Sequence, residues 1–155
     1  MTNRKRKYGK AVFEPIGHVE SIIDPEHRYN PKEVTAKIII KPELEEALQG
    51  IEEFSHIIVI FWTHKFSDTP YPLKVHPKRS PDLPLRGVLA TRSPIRPNCI
   101  GLSTVKLENR KNNILEVKGL DAYNETPVLD IKPYIKALDC IPDAKEPAFI
   151  EERRS

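Results

Sequence analysis

No two of the six glycines in this chain stand two residues apart. That spacing excludes the Gly-rich turn by which a Rossmann fold approaches a dinucleotide. The P-loop and the Gly-x-Ser-x-Gly nucleophile elbow are missing as well. Cysteine is scarce: Cys99 and Cys140 match no metal-ligand spacing and read as reduced intracellular thiols. No apolar run approaches the roughly 20 residues of a membrane helix. The basic N-terminus is followed by no apolar signal core, so the chain reads as cytoplasmic, with no membrane partner. His56 and His64 stand eight apart. No third ligand has a recognisable spacing to them, so no metal site is expected.

Neither sign of charge dominates. Twenty-five basic residues against 22 acidic ones leave +3, which excludes a chain that is polybasic throughout. Local imbalance says more. Arg4, Lys5, Arg6, Lys7 and Lys10 form a tail without an acid. Lys65, Lys74, Lys78, Arg79, Arg86, Arg92 and Arg96 face only Asp68 and Asp82 over the same stretch. Such clusters can neutralise phosphates, although a charged run is more often a solvated face.

Proline is abundant, at 15 of 155 residues. The chain suits one domain, rich in turns and poor in long helices. Strand-like segments run over 12–23, 34–40, 57–62, 100–107, 114–120 and 127–131. The run Ile57-Ile58-Val59-Ile60-Phe61-Trp62 has no alternation and predicts a strand buried on both faces. Pro42 to Phe54 predicts a helix: Leu44, Ala47, Leu48 and Ile51 make one apolar face, behind acids in the first turn. Phe66 to Arg86 is a loop carrying five prolines. The expected fold is mainly β: a single-domain, mostly antiparallel β-barrel with one packed α-helix and a long Pro-rich loop. Residues 1–10 form a basic tail, 11–142 the barrel domain and 143–155 a C-terminal arm.

Two stretches could carry chemistry. Gly87 to Ala90 reads as a strand that runs into Thr91-Arg92-Ser93-Pro94-Ile95-Arg96-Pro97-Asn98, a loop stiffened by two prolines. Two arginines on a rigid loop suit an anionic or phosphate-bearing ligand. The plainer reading is a stiff turn with solvated arginines. The second stretch, Leu120 to Tyr134, supplies acids, an amide, hydroxyls, a phenol and an amine. Its plainer reading is a turn followed by a strand with an Asp130–Lys132 pair on one face.

Three motifs occur in order: Gly50-Ile51-Glu52-Glu53-Phe54-Ser55-His56-Ile57, Val88 to Ser103, and Thr126-Pro127-Val128-Leu129-Asp130-Ile131-Lys132-Pro133-Tyr134. Together they resemble the TsaA-like (TrmO) family, over roughly residues 13–142. The resemblance implies a β-barrel methyltransferase that uses S-adenosylmethionine without a Rossmann fold. It implies methylation of N6 of threonylcarbamoyladenosine beside the tRNA anticodon, and a homodimer with the cofactor site near the subunit interface. Carried over by position, cofactor contacts fall on His64, Lys65, Arg92, Leu102, Asn124, Glu125, Thr126 and Pro127. The chain departs from the family in three places. No Pro-Arg-Gln segment occurs within Asp24–Lys32, Cys99 replaces a common proline, and Asn124-Glu125 stands where Asp-Gly is usual. Glu takes a positive φ less readily than Gly.

Methyl transfer from a sulfonium needs mainly alignment and electrostatics. The acceptor nitrogen must shed a proton, and Asp130 and Tyr134 are the candidate catalytic acceptors, four apart on one face if the strand stays regular. The basic tail and the Lys65–Arg96 region would bind the tRNA anticodon stem-loop. A non-catalytic RNA-binding barrel and a methyltransferase acting on a small molecule are the alternatives.

Overall fold

The computed structural model describes residues 10–23, 30–77 and 80–151. The basic run 4–7, the segment 24–29 and the pair Lys78-Arg79 lie outside the described residues. The described residues form eight strands: β1 (Gly17–Glu20), β2 (Thr35–Ile40), β3 (His56–Trp62), β4 (Lys74–Val75), β5 (Arg86–Gly87), β6 (Ile100–Lys111), β7 (Ile114–Lys118) and β8 (Pro127–Pro133). Six of them close a barrel in the order β1-β2-β7-β6-β3-β8, and every pairing is antiparallel. Short helices α1 (Lys136–Asp139) and α2 (Ala148–Glu151) follow the last strand.

Period-two alternation fills the barrel. Val19, Ile38, Ile57, Val59, Leu115, Val117 and Val128 point inward and are fully buried. Two glycines permit close approaches. A Cβ on Gly17 would sit 2.2 Å from the Ile39 carbonyl oxygen, and one on Gly101 would sit 2.4 Å from the Phe61 ring. The hairpin between β6 and β7 turns at Asn112, whose φ is +54°, and Asn113 Nδ2 donates to the Ile40 carbonyl at 2.5 Å.

Several local expectations differ from what is observed. The helical segment is present but is wound as two 3₁₀ pieces, Pro42–Leu48 and Ile51–Glu53, separated by Gly50 at φ +83°. Gly50, in the left-handed region, breaks the segment, so no continuous α-helix runs through it. Arg110 fixes this segment to the barrel, donating to the carbonyls of Leu48 and Glu45 and pairing with Glu52 at 3.1 Å. The chain over 88–90 is a 3₁₀ turn rather than a strand. Only Arg86–Gly87 is extended there, pairing with Lys74–Val75 to make a two-stranded ribbon inside the Pro-rich segment. β3 is buried on its inner face only. Ile58 and Ile60 are half-buried outside the barrel, and Trp62 is exposed.

The register of β6 creates the feature on which the site depends. β7 pairs only with Lys106–Lys111. Leu107 N–H donates to the Ser55 carbonyl and Thr63 N–H to the Cys99 carbonyl. These bonds fix the odd-numbered residues of β6 as the ones bonded to β3. The N–H and C=O groups of Ile100, Leu102 and Thr104 therefore point the other way, to an edge that no strand covers among the described residues.

Candidate active site

A cavity of about 620 Å³ lies against that open edge. Its walls come from four segments: the end of β3 with the turn His64–Phe66, the loop Thr91–Arg96, the edge Ile100–Ser103, and the stretch Asp121–Thr126. Its size falls within the range of small-molecule sites.

Each wall is held by hydrogen bonds that the sequence order makes possible. Thr63 Oγ1 donates to the carbonyls of Pro94 and Cys99, at 3.0 and 2.9 Å, and ties the proline loop to the end of β3. Arg96 Nη1 donates to the Thr91 carbonyl at 2.9 Å, bracing the loop from within. The two arginines of the sequence motif thus separate in role. Arg96 is half-buried and holds the loop, whereas Arg92 is exposed at the cavity wall. Among the described residues Arg92 has no hydrogen-bond or ion-pair partner. His64 Nδ1 is shielded from solvent without a hydrogen-bond partner, a buried polar atom whose desolvation a ligand could offset.

The turn Tyr123–Thr126 closes with Thr126 N–H donating to the Tyr123 carbonyl at 3.2 Å. Glu125 occupies the third position with φ +62°, where glycine is preferred. The strain anticipated at Glu125 is thus present, and neighbours hold it. Glu125 N–H donates to the Val19 carbonyl, and Asn124 Oδ1 accepts from Ser21 N–H.

His64, Lys65, Arg92, Leu102 and Thr126 come together around the cavity. Asn124 and Glu125 face a shallower depression on the other side of the turn, beside Glu20, Ser21, Lys37 and Glu116. Pro127 opens β8, opposite His18. Asp130 and Tyr134 do share one face, but it is the outside of the barrel wall. Asp130 lies across from Ile60 and is bonded to Lys132 at 2.8 Å. Tyr134 N–H donates to the His56 carbonyl, at the end of β3 away from His64. Partial desolvation, together with the charges of Cys140 and Asp139, holds the Tyr134 phenol above its ordinary pKa. A phenol so shifted is a poor proton acceptor near neutrality.

Sequence reading passed over Phe66, Asp121 and Tyr123 as site residues. The signal was there in the alternation after β7: Leu120 and Ala122 are buried, and the alternate residues Asp121 and Tyr123 line the cavity.

The model of the tRNA-methyltransferase O N-terminal domain matches residues 22–140. The chain belongs to the TrmO family. A probable S-adenosyl-L-methionine-binding protein of Methanocaldococcus jannaschii is 47% identical over 83% of this chain and 95% of its own length. A tRNA (adenine(37)-N6)-methyltransferase of mouse is 38% identical over 84% of this chain and 32% of its own length. A crystal structure of TrmO from Pseudomonas aeruginosa superposes with a TM-score of 0.75 at 30% identity, covering 94% of this chain and 64% of that one. This TrmO-family chain thus spans nearly the whole of the archaeal relative, and less than two thirds of the solved bacterial protein. No described helix is long and apolar enough to cross a membrane.

Proposed function

We propose that the cavity binds S-adenosylmethionine and that the protein methylates N6 of an adenine in tRNA, the threonylcarbamoyladenosine beside the anticodon. The observation that carries this reading is the open edge of β6. An adenine presents a donor and an acceptor side by side, and the N–H and C=O of Leu102 offer the complementary pair. The names of the relatives support the same ligand and the same reaction.

The residues fit that ligand. Arg92, without a partner among the described residues, suits a carboxylate. His64 Nδ1 and the buried Thr126 offer further polar contacts in the cavity wall. S-adenosylmethionine supplies an electrophilic methyl group when bound. The chain's own part is to hold the reactants in line and to exclude water, so alignment carries the rate. Lys65 and Lys74, exposed around the cavity and its ribbon, would neutralise tRNA phosphates, and RNA affinity would then fall with salt.

A homodimer belongs to the same reading. Ile58, Ile60, Trp62, Ile100 and Leu102 form an apolar stripe on the outside of β3 and β6, next to the cavity. A second copy would cover it, and Trp62→Glu should give a monomer by light scattering. The central test is calorimetric titration with S-adenosylmethionine and S-adenosylhomocysteine, followed by transfer of labelled methyl to tRNA. Saturable binding, weakened about tenfold or more in Arg92→Ala, is the expected result. Absence of binding to either compound overturns the assignment. Binding without transfer to tRNA moves the acceptor to a small molecule.

A further inference from the structure

Resting on the methyl-donor reading above, we propose that the ring of Tyr123 is the surface on which the cavity recognises positive charge, and that Lys65 holds that surface when no cationic ligand does.

The charges lining the cavity frame the problem. Lys65, Arg92 and Arg96 are cationic, and Asp121 is the one carboxylate among the lining residues. A ligand that carries both a carboxylate and a positive centre meets attraction for the first and repulsion for the second along most of this wall. Two places differ: the Asp121 carboxylate and the negative face of the Tyr123 ring, two residues apart on one stretch. Lys65 Nζ already lies 5.1 Å from the centroid of that ring, within cation–π range. Both residues line the cavity, and the ring face accommodates a cation there. Phe66 packs against the same ring, with centroids 6.3 Å apart and planes tilted by 42°. Lys65 and Phe66 are neighbours on the turn His64–Phe66, so one short turn both steadies the ring and supplies its resident cation.

This arrangement distinguishes donor from product. In the transfer, the lone pair of the acceptor nitrogen forms the new N–C bond. The C–S bond breaks with its electron pair on sulfur, and the N–H proton passes to water. Sulfur changes from a sulfonium to a neutral thioether. The α-ammonium is common to donor and product, so a ring that faces the sulfonium loses its cation at that moment, and the ammonium of Lys65 regains the face. Tyr123 is thus a specificity-determining residue, and Lys65 is an internal competitor that favours release of product.

The test is the ratio of dissociation constants for S-adenosylhomocysteine and S-adenosylmethionine, measured by calorimetry on the full chain. Tyr123→Phe should keep the ratio within about twofold, and Tyr123→Leu should lower it about tenfold, with the loss on the side of the sulfonium compound, S-adenosylmethionine. Phenylalanines of increasing ring fluorination at position 123 keep the shape and drain the π face. They should weaken S-adenosylmethionine stepwise and leave S-adenosylhomocysteine unmoved. Lys65→Gln should raise the ratio. Equal weakening of both ligands by Tyr123→Leu, or indifference to fluorination, overturns the proposal and leaves the methyl-donor reading standing. A wild-type chain that binds neither compound overturns both.

Discussion

The first half of β6, Ile100–Val105, and its second half, Lys106–Lys111, belong to one unbroken strand with different neighbours. Both halves pack inward, through Val105 in one and Leu107 in the other. The second half is paired with β7, and Arg110 ties it to the 3₁₀ segment. The first half has β3 on one side and the cavity on the other. Stability and ligand binding are thereby separated along a single element. Where β7 stops, backbone groups cease to serve the fold and become available to a ligand.

Proline placement tests this division most severely. Ser103 N–H points at β3, so Ser103→Pro should remove a ladder bond and cost about 3 kcal/mol or more, read as a collapse of the thermal transition. Leu102 N–H points at the open edge. Leu102→Pro should stay folded and lose S-adenosylmethionine affinity by tenfold or more. If both variants unfold equally, the two edges are not different. Gly101→Ala comes next, because its Cβ would meet the Phe61 ring. A loss of about 1–3 kcal/mol is expected from overpacking, and Phe61→Leu in the same chain should restore most of it.

How far these features could be read from sequence follows the same line. The barrel was legible because Ile38, Ile57, Val59, Leu115 and Val117 sit on alternating, short-spaced segments. The loop Thr91–Asn98 was legible because its two prolines leave few backbone choices. The α-helical reading of 42–54 erred because Leu44 with Ala47 and Leu48 with Ile51 are i, i+3 pairs that a 3₁₀ winding also aligns, and Gly50 at positive φ breaks the segment. Gly87–Ala90 reads as a strand because a glycine and three apolar residues carry no period, and only Gly87 is extended. Asp130 and Tyr134 were correctly placed on one face, but sequence could not say which face. That depended on Ile131, their neighbour, packing on the core. Register settled it, and register is a property of the closed barrel.

Smaller effects sharpen the contrast. Arg110→Ala, in the paired half, should cost about 1–2 kcal/mol through its lost hydrogen bonds, with S-adenosylmethionine affinity kept within about twofold. The same variant has a pH signature. The Glu52 carboxyl is held below its ordinary 4.5, first by a hydrogen bond from its own backbone N–H and then by Arg110. A carboxyl lowered in the folded state contributes stability above its unfolded value, and that contribution is lost as pH falls through the folded one. Without Arg110 the acid-side decline in Tm should therefore begin at higher pH. Smallest of all is Asp130→Asn. Its pair with Lys132 is well exposed and should be worth under about 1 kcal/mol. Single-turnover methyl transfer should be unchanged, and a large drop in rate would return Asp130 to the chemistry.

A raw sheet edge is ordinarily an invitation to aggregate, since any extended chain can zip onto it. Here the invitation is withdrawn by shape alone. The six-residue edge is recessed behind the Thr91–Arg96 loop and the Asp121–Thr126 stretch, so a flat small molecule fits and a passing strand does not. Trimming that loop to widen the pocket for larger ligands would therefore carry a hidden hazard. It would turn a recognition surface into a nucleus for fibrils, and the first sign would be turbidity rather than lost activity.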